Sequence, residues 1–549
     1  MAISLPNDVL YLICAQLWEK RDFNTLFSFS RTGRTLAVPA LTHLYRMQDV
    51  APVTNGGSDE DQARGRRDQE TVAKWAQLWR TMILASLGKT LFPYSRYIRT
   101  LNLQDLEELL RDAKFRDQLK DSFFTGELSH AKIEKGSSFT VKGRRITQQL
   151  DPVTMANRLG EVLIADTPML EELGGHIGKG ASLMKWIPKL PRLRNMNLWD
   201  GEALRDTGSL IRAHCPNFTE LKFWSWINSD ADHAMASFLN EIREQSLKSL
   251  VTLSTSIIGP ESFLALNCHR ECLAELHLCD ISADAMVNLN LLKECTNLVS
   301  LQLSETRTST TDLEHRHNDV FLEVAAWLCG CKKLKNIKLN HFHSAPSLLT
   351  SVLCEHDIQL IEMDLDDYTM KIGKTFHRAL VHQPSLQSLC LMGEGDEAGH
   401  EGYSILVDSL CKLGNLDDLR LGGVSDFLND EDICRLAQNL PKLESFATRG
   451  WGLTDRIWQD LARLKCLKRL DFNAMTSFTA QSLLGYVLGL GHGNQGFALA
   501  VMMADMDFDL KPHEQQLIRD TLAQRVGGSF EFMLLRDPEV SEFEDSDSD

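Results

Sequence analysis

Thirteen cysteines and seventeen histidines supply the raw material for nucleophilic or metal chemistry. They gather in Cys268-His269-Arg270-Glu271-Cys272, His315 with His317, Cys329 with Cys331, and His341 with His343. A structural zinc site needs four ligands, usually two close pairs at a set separation, and no two of these fragments form such a set. Gly489 to Gly496 is glycine-rich but lacks the following Lys-Ser/Thr of a phosphate loop; it reads as a turn closing the last repeat. There is no Gly-x-Ser-x-Gly elbow. Neither a metal nor another cofactor is expected. A Cys/His pair assembled by the fold stays open, although nothing singles one out.

The residues that remain are suited to binding. Trp199, Trp224 and Trp226, with Lys222 among them, form an aromatic group. Glu362, Asp364 and Asp366 form an acidic one, and Arg420, Arg449 and Arg469 a basic one. Each occupies an alternate position of a short apolar segment, so its side chain should point away from the core. Tryptophans at such positions are typical interface anchors; the alternative is that Trp224 or Trp226 folds back under a loop. The acidic group could read a basic segment, and the arginines an acidic or phosphorylated one.

Those segments repeat. An apolar residue, two variable ones, an apolar, one variable and an apolar recur at Leu193, Phe218, Leu273, Leu298, Leu334, Leu360, Leu386 and Leu416, with looser copies at Leu170, Leu247, Leu443, Leu467 and Ile98. From Leu170 the starts advance by 23 to 30 residues, apart from one 36-residue step from Leu298 to Leu334. That is near the period of leucine-rich repeats, in which each unit is a strand followed by a helix. Helix signals follow the strands. Ser282, Asn429 and Thr454 can each cap a helix whose apolar residues lie on one face. The expected fold is α/β: a solenoid of parallel strands on a concave face and helices on a convex one. The asparagine or cysteine usual eight residues after the first leucine is missing. Ile281, Phe342, Val424, Trp451 and Met475 stand there, so apolar packing should replace the turn's hydrogen-bond ladder.

Before the repeats, Pro6 opens a helical stripe of Val9, Leu10, Ile13 and Leu17. Asp22 can cap a second helix bearing Phe23, Leu26 and Phe27. Gly33 breaks it, and Pro39-Ala40-Leu41 starts a third with Leu44 and Tyr45. So small a helical module buries too little surface to stand alone, which hints at a partner. Residues 54–69 are rich in glycine and charge and lack large apolar side chains, so disorder is expected.

The segment Leu5 to Arg46 resembles an F-box: the Leu5-Pro6-Asn7-Asp8 start, Leu10 and Ile13, the Leu26-x-x-x-Ser30-Arg31 segment, then Leu41, Leu44 and Tyr45. The whole chain is similar to the fungal F-box proteins with leucine-rich repeats, a likeness that continues through residues 74–80 and 88–93. The resemblance implies that Leu5, Pro6, Val9, Leu10, Ile13, Leu26, Leu41 and Leu44 bind the Skp adaptor, and through it a cullin. It implies a non-catalytic substrate receptor of a ubiquitin ligase whose repeats hold a protein target. An interaction scaffold whose partner is not degraded remains the alternative. The implied organisation is an F-box at 1–48, a disordered charged linker at 49–70, a helical connecting region or first irregular repeat at 71–165, the solenoid at 166–536 and an acidic disordered tail at 537–549.

The chain carries a net charge of −17, of which seven acidic residues and no basic one follow Arg536. An acidic chain repels phosphate backbones, so nucleic acid is not an expected partner. No apolar run is long enough for a membrane span, and no secretory signal opens the chain. Scattered cysteines, odd in number, suit a reducing compartment, cytoplasmic or nuclear.

Overall fold

The computed structural model describes residues 5–20, 22–48, 69–135, 149–178, 181–308, 311–370, 373–394, 400–505 and 509–534. Most of the expected linker and the whole acidic tail therefore lie outside the described residues. The chain divides into two compact units, Met1–Leu273 and Ala274–Asp549.

The first unit begins with three helices, α1 (Asn7–Glu19), α2 (Phe23–Thr32) and α3 (Arg34–Leu44). Pro6 precedes α1, where its missing N–H costs no helical bond. Asp22 caps α2 by accepting from the Thr25 N–H at 3.1 Å. α3 starts at Arg34 and not at Pro39. The N–H groups of Leu36 and Ala37 both donate to the Gly33 carbonyl, so Pro39 sits inside the helix and deletes a single donor. Cys14, Leu26 and Ala40 form the core of the three helices, with Leu17, Trp18, Phe29 and Leu44 packed on it.

These helices are tied to the repeats that follow. Tyr45 lies against Tyr94, ring centroids 4.5 Å apart. β1 (Met47–Gln48) pairs in parallel with β2 (Thr100–Asn102). The helix Gln69–Ser86 begins inside the span expected as linker. It buries Trp75 and Trp79, and the carboxylate of buried Asp105 accepts from both indoles, at 2.8 and 2.6 Å. β3 (Glu134–Lys135) and β4 (Gln149–Leu150) form a small antiparallel pair. From β2 the ladder runs to β5 (Glu172–Gly175), β6 (Asn195–Asp200), β7 (Glu220–Ser225) and β8 (Ser249–Thr252), every step parallel. The motif at Ile98 is thus a true repeat, with Ile98, Leu101 and Leu103 all buried.

The second unit continues the pattern. β9 (Glu275–Ile281), β10 (Ser300–Glu305), β11 (Asn336–Asn340), β12 (Glu362–Thr369), β13 (Ser388–Glu394), β14 (Asp418–Gly422), β15 (Ser445–Thr448), β17 (Arg469–Ser477), β18 (Ala498–Ala504) and β19 (Ser529–Leu534) form one parallel ladder. The short β16 (Leu453–Thr454) joins the end of β17. The 36-residue step holds two helices, Leu313–Arg316 and Asn318–Gly330. The helix Asp430–Asn439 has a capping box, Asn429 with Asp432, and buries Ile433, Leu436 and Ala437. Ser282 accepts from the Ala285 N–H at 3.2 Å, although the helix it caps stops at Met286. Within each unit the motif residues face the helices and are buried. The fold is the leucine-rich-repeat α/β architecture.

Three expectations need correction. Gly489 to Gly496 does not close the last repeat, because β18 and β19 follow it. Both were hidden by their first position. Leu499 and Phe530 align with Leu470, and three residues before them stand Gly496 and Gly527, at φ +76° and +66°, where Leu467 stands in the preceding repeat. The apolar turn residues are not all core either: Ile281, Phe342 and Val424 are buried, whereas Trp451 is exposed. In place of the missing asparagine, four repeats turn through a left-handed residue just past the strand motif: Asp280, His341, Asp367 and Gly423. Short polar side chains, histidine and glycine tolerate that conformation best. His341 of the His341/His343 fragment thus has a backbone role, and its imidazole lies 3.1 Å from Asp367. Among the described residues no group of three metal-ligating side chains gathers, and no helix is long and apolar enough to cross a membrane.

Candidate functional site

The residues expected on the first three helices separate into two sets. Leu10, Leu26 and Leu41 are buried and fill the module's own core. Ile13 and Leu44 are half-buried. Leu5, Pro6 and Val9 are exposed and available to a partner. Further apolar side chains share that exposure: Leu12 (66 %), Phe27 (52 %), Phe23, Tyr11 and Val38. Val9 and Leu12 are three apart and Phe23 and Phe27 four apart, so each pair lies on one helix face. The signal for Leu12 was present in the Leu5-Val9-Leu12 spacing but was masked by the stronger core stripe beside it. Arg31 stands over the Phe27 ring, 5.6 Å from its centroid. A set of large exposed apolar groups on so short a segment marks an interaction surface.

In the first unit, Trp199 of β6 and Trp224 of β7 stand side by side on the open face of the ladder. Leu198 pairs with Phe223, so the next residues are neighbours. The indoles stack with centroids 5.2 Å apart and planes 3° from parallel, and each stays over 40 % exposed. Ile227, past β7, and Leu253 and Ile257, past the neighbouring β8, add exposed apolar surface. Lys222 lies one row back, half-buried.

Trp226 departs from expectation and is fully buried. Its indole lies on the backbone of Gly201, where even a Cβ would come within 2.5 Å of the ring. Its N–H donates to Glu202 at 3.1 Å. Arg205 grips Glu202 at 2.7 and 2.9 Å and Asp230 at 2.9 and 3.0 Å. Those hydrogen bonds from Arg205, then those from Trp226 and Asn228, hold the Glu202 carboxyl below its usual range. Trp226 is an anchor for the loop after β6 and does not meet a ligand.

In the second unit, register puts the charged candidates on one surface. Asp364, Cys390 and Arg420 are consecutive partners across β12, β13 and β14. Glu362, Ser388, Asp418, Ser445 and Arg469 form the adjacent row. The acidic and basic groups, separate in the sequence, are thus two strands apart, about 10 Å. Glu362 is paired with Lys338 at 2.6 Å. Asp366 lies 4.0 Å from His341. Burial, then the charge of Asp364, pushes the Cys390 thiol up to about 12.

Arg420, Arg449 and Arg469 line a single groove of about 690 Å³, with Met392, Ala447 and Met502 among the other lining residues. Each guanidinium meets a carboxylate through one nitrogen: Arg420 with Asp418 at 3.2 Å, Arg449 with Asp426 at 3.7 Å, Arg469 with Asp471 at 3.4 Å. Their side chains keep 45 %, 44 % and 65 % exposure. Phe427 and Trp451, in the loops that follow β14 and β15, are exposed beside Asp426 and Arg449. Asp418 and Asp471 share the alternation of the arginines but were not singled out in the sequence; Asp426 and Phe427 lie in the loop past β14, outside the repeating positions.

The cysteines are all free thiols. Cys329 and Cys331 are raised chiefly by burial, Cys331 to about 12, as expected of packing groups and not of activated nucleophiles.

No protein-family model matches the chain, and no curated protein matches it at significant similarity. Solved structures similar to it include Rad7 in the yeast Rad7–Elc1 complex, at 11 % identity over 83 % of this chain and 97 % of that one, TM-score 0.35. Others are the internalin InlF of Listeria monocytogenes, at 14 % identity over 58 % and 77 %, TM-score 0.33, and TLR13 in a complex with ssRNA13, at 12 % identity over 67 % and 53 %, TM-score 0.33.

Proposed function

We propose that the chain is a non-catalytic substrate receptor of a cullin-type ubiquitin ligase, acting in the cytoplasm or nucleus. In this reading the first three helices are an F-box that binds the Skp adaptor, and the open faces of the repeat ladder hold a protein target. The observation that carries it is the apolar surface of Leu5, Val9, Leu12, Phe23 and Phe27, exposed on a module whose sequence resembles an F-box. The Trp199/Trp224 stack supports the second half: tryptophans are among the side chains that most often carry binding energy at interfaces. The chain's contribution to ubiquitin transfer is proximity, which makes the transfer effectively intramolecular.

The test is co-purification of the full chain with the Skp adaptor and cullin, and the lifetime of whatever partner the repeats retain. Leu12→Asp with Phe27→Asp should abolish adaptor binding, and Trp224→Ala should release the partner while adaptor binding persists. Retained adaptor binding in the first variant overturns the docking assignment. A retained partner whose lifetime does not depend on this chain would instead make it a scaffold.

A further inference from the structure

The groove of Arg420, Arg449 and Arg469 also holds Asp418 and Asp471, so its lining keeps an excess of one positive charge in a chain of net charge −17. A guanidinium carries five donors, and each of these three commits one nitrogen to a carboxylate. The lining adds Met392 and Met502, and Trp451 stands exposed two residues beyond Arg449. The groove therefore fits an extended segment with several carboxylates and an aromatic side chain. Residues 537–549 have that composition: seven acidic residues, no basic one, and Phe543 in their midst.

Reach is sufficient. Leu534, the last described residue, pairs with Ala504 of β18, which pairs with Thr476 of β17. Arg449 directly follows Thr448, the partner of Phe472. From Leu534 to Arg449 is therefore three strands across and about three residues back, roughly 17 Å at usual strand spacing and rise. The eight residues 535–542 span up to about 27 Å when extended, so Glu542, Phe543 and Glu544 can reach the arginines.

We propose that residues 537–549 of this chain occupy the arginine groove as an internal ligand. A target using the same groove must displace them. Tethering makes the segment's effective concentration about millimolar, so weak intrinsic affinity is enough. The inference does not depend on the ubiquitin-ligase reading, since loss of adaptor binding leaves it untouched.

A fluorescent peptide of residues 537–549 tests it by anisotropy, against the full chain and a chain ending at Arg536. The shortened chain should bind the peptide at least tenfold more tightly, because its groove is vacated. Binding should weaken as salt rises from 50 to 200 mM, as ion pairs are screened. Arg420→Glu with Arg469→Glu should abolish it. Arg420→Gln with Arg469→Gln, which keeps side-chain length and leaves Asp418 and Asp471 a neutral donor, should weaken it at least tenfold with unchanged circular dichroism. A Phe543→Ala peptide should bind about tenfold more weakly, from the lost apolar burial. Equal affinity for both chains, indifference to the arginine variants, or concentration-dependent dimers of the full chain with the segment bound in a second copy would each overturn the proposal.

Discussion

Replacing Leu12 and Phe27 together by Ala should weaken adaptor binding about 30- to 150-fold without lowering the thermal transition of the chain. Leu12 is 66 % exposed and Phe27 52 %, so each has at least half of its surface left to bury against a partner. Full burial of such a side chain stabilises by about 1.5–3 kcal/mol. Scaled by the exposed fraction, each contributes about 1–1.5 kcal/mol, and the pair about 2–3. At about 1.4 kcal/mol per decade of Kd, that is the stated range. Titration calorimetry of the purified chain with the Skp adaptor measures it. Leu26→Ala is the control. Leu26 is fully buried beside Cys14 and Ala40, and truncating a buried leucine costs about 2–5 kcal/mol of stability, so it should lower the thermal transition. The reasoning is refuted if the double variant binds within twofold of wild type while Leu26→Ala abolishes binding at an unchanged transition. The buried stripe would then be the contact surface and the helices would dock in another arrangement.

Asp105→Ala removes an acceptor from two buried indoles, those of Trp75 and Trp79; at about 1–3 kcal/mol for each unmet buried donor, chemical denaturation should show a loss of about 2–6 kcal/mol. Gly423→Ala should be far more damaging than Gly452→Ala. Both sit at φ near +70°, but the new Cβ would lie 1.6 Å from the Gly393 carbonyl oxygen in the first case and in open space in the second; comparing the two denaturation midpoints separates clash from backbone strain, and equal losses would mean that strain alone decides. His377 is fully buried, and burial lowers its pKa from 6.5 to about 4. The unfolded chain therefore binds a proton there before the folded one does. Stability tied to this group is complete above about pH 6.5 and is lost as the pH falls to about 4. His377→Gln should flatten that part of the stability–pH curve, and an unchanged slope would remove His377 as its source.

The ladder was legible because burial imposes it. Two apolar residues per strand, Leu276 and Leu278 or Leu389 and Leu391, face the helices and cannot be polar, so the period is written in the chain. The last two strands were illegible because Gly496 and Gly527 replace the leading leucine, and a glycine carries no pattern. The site was legible only at positions tied to that period. Trp199, Trp224 and the three arginines alternate with core residues and lie exposed on the open face. Trp226 shares the same alternation, yet a glycine distant in the pattern, Gly201, opens a bed for its indole. Phe427 lies in a loop, where no periodicity operates. For Trp451 the turn position suggested burial, and the loop carried it out to solvent.

The same constraint explains why the two units differ in the surfaces they display. Core positions and left-handed turn positions, such as Asp280 and Asp367, are fixed by packing and backbone conformation in every repeat that has them. The residues alternating with the core carry no such duty, and a change there costs little stability because the side chain is already solvated. They are therefore free to be selected for binding. In the first unit they became stacked tryptophans with apolar neighbours, suited to an apolar anchor. In the second they became alternating acids and arginines, whose internal ion pairs at 2.6 to 4.0 Å keep most charges balanced. A balanced charged surface gains little from a single new ion pair, since the counter-ion already present offsets much of the attraction. It gains from a ligand that meets several arginines at once while seating an apolar group beside Met392 or Trp451. A ligand of this surface would be selected by the joint spacing of charged and apolar groups, and mutating one arginine alone should weaken every such ligand modestly without changing which is preferred.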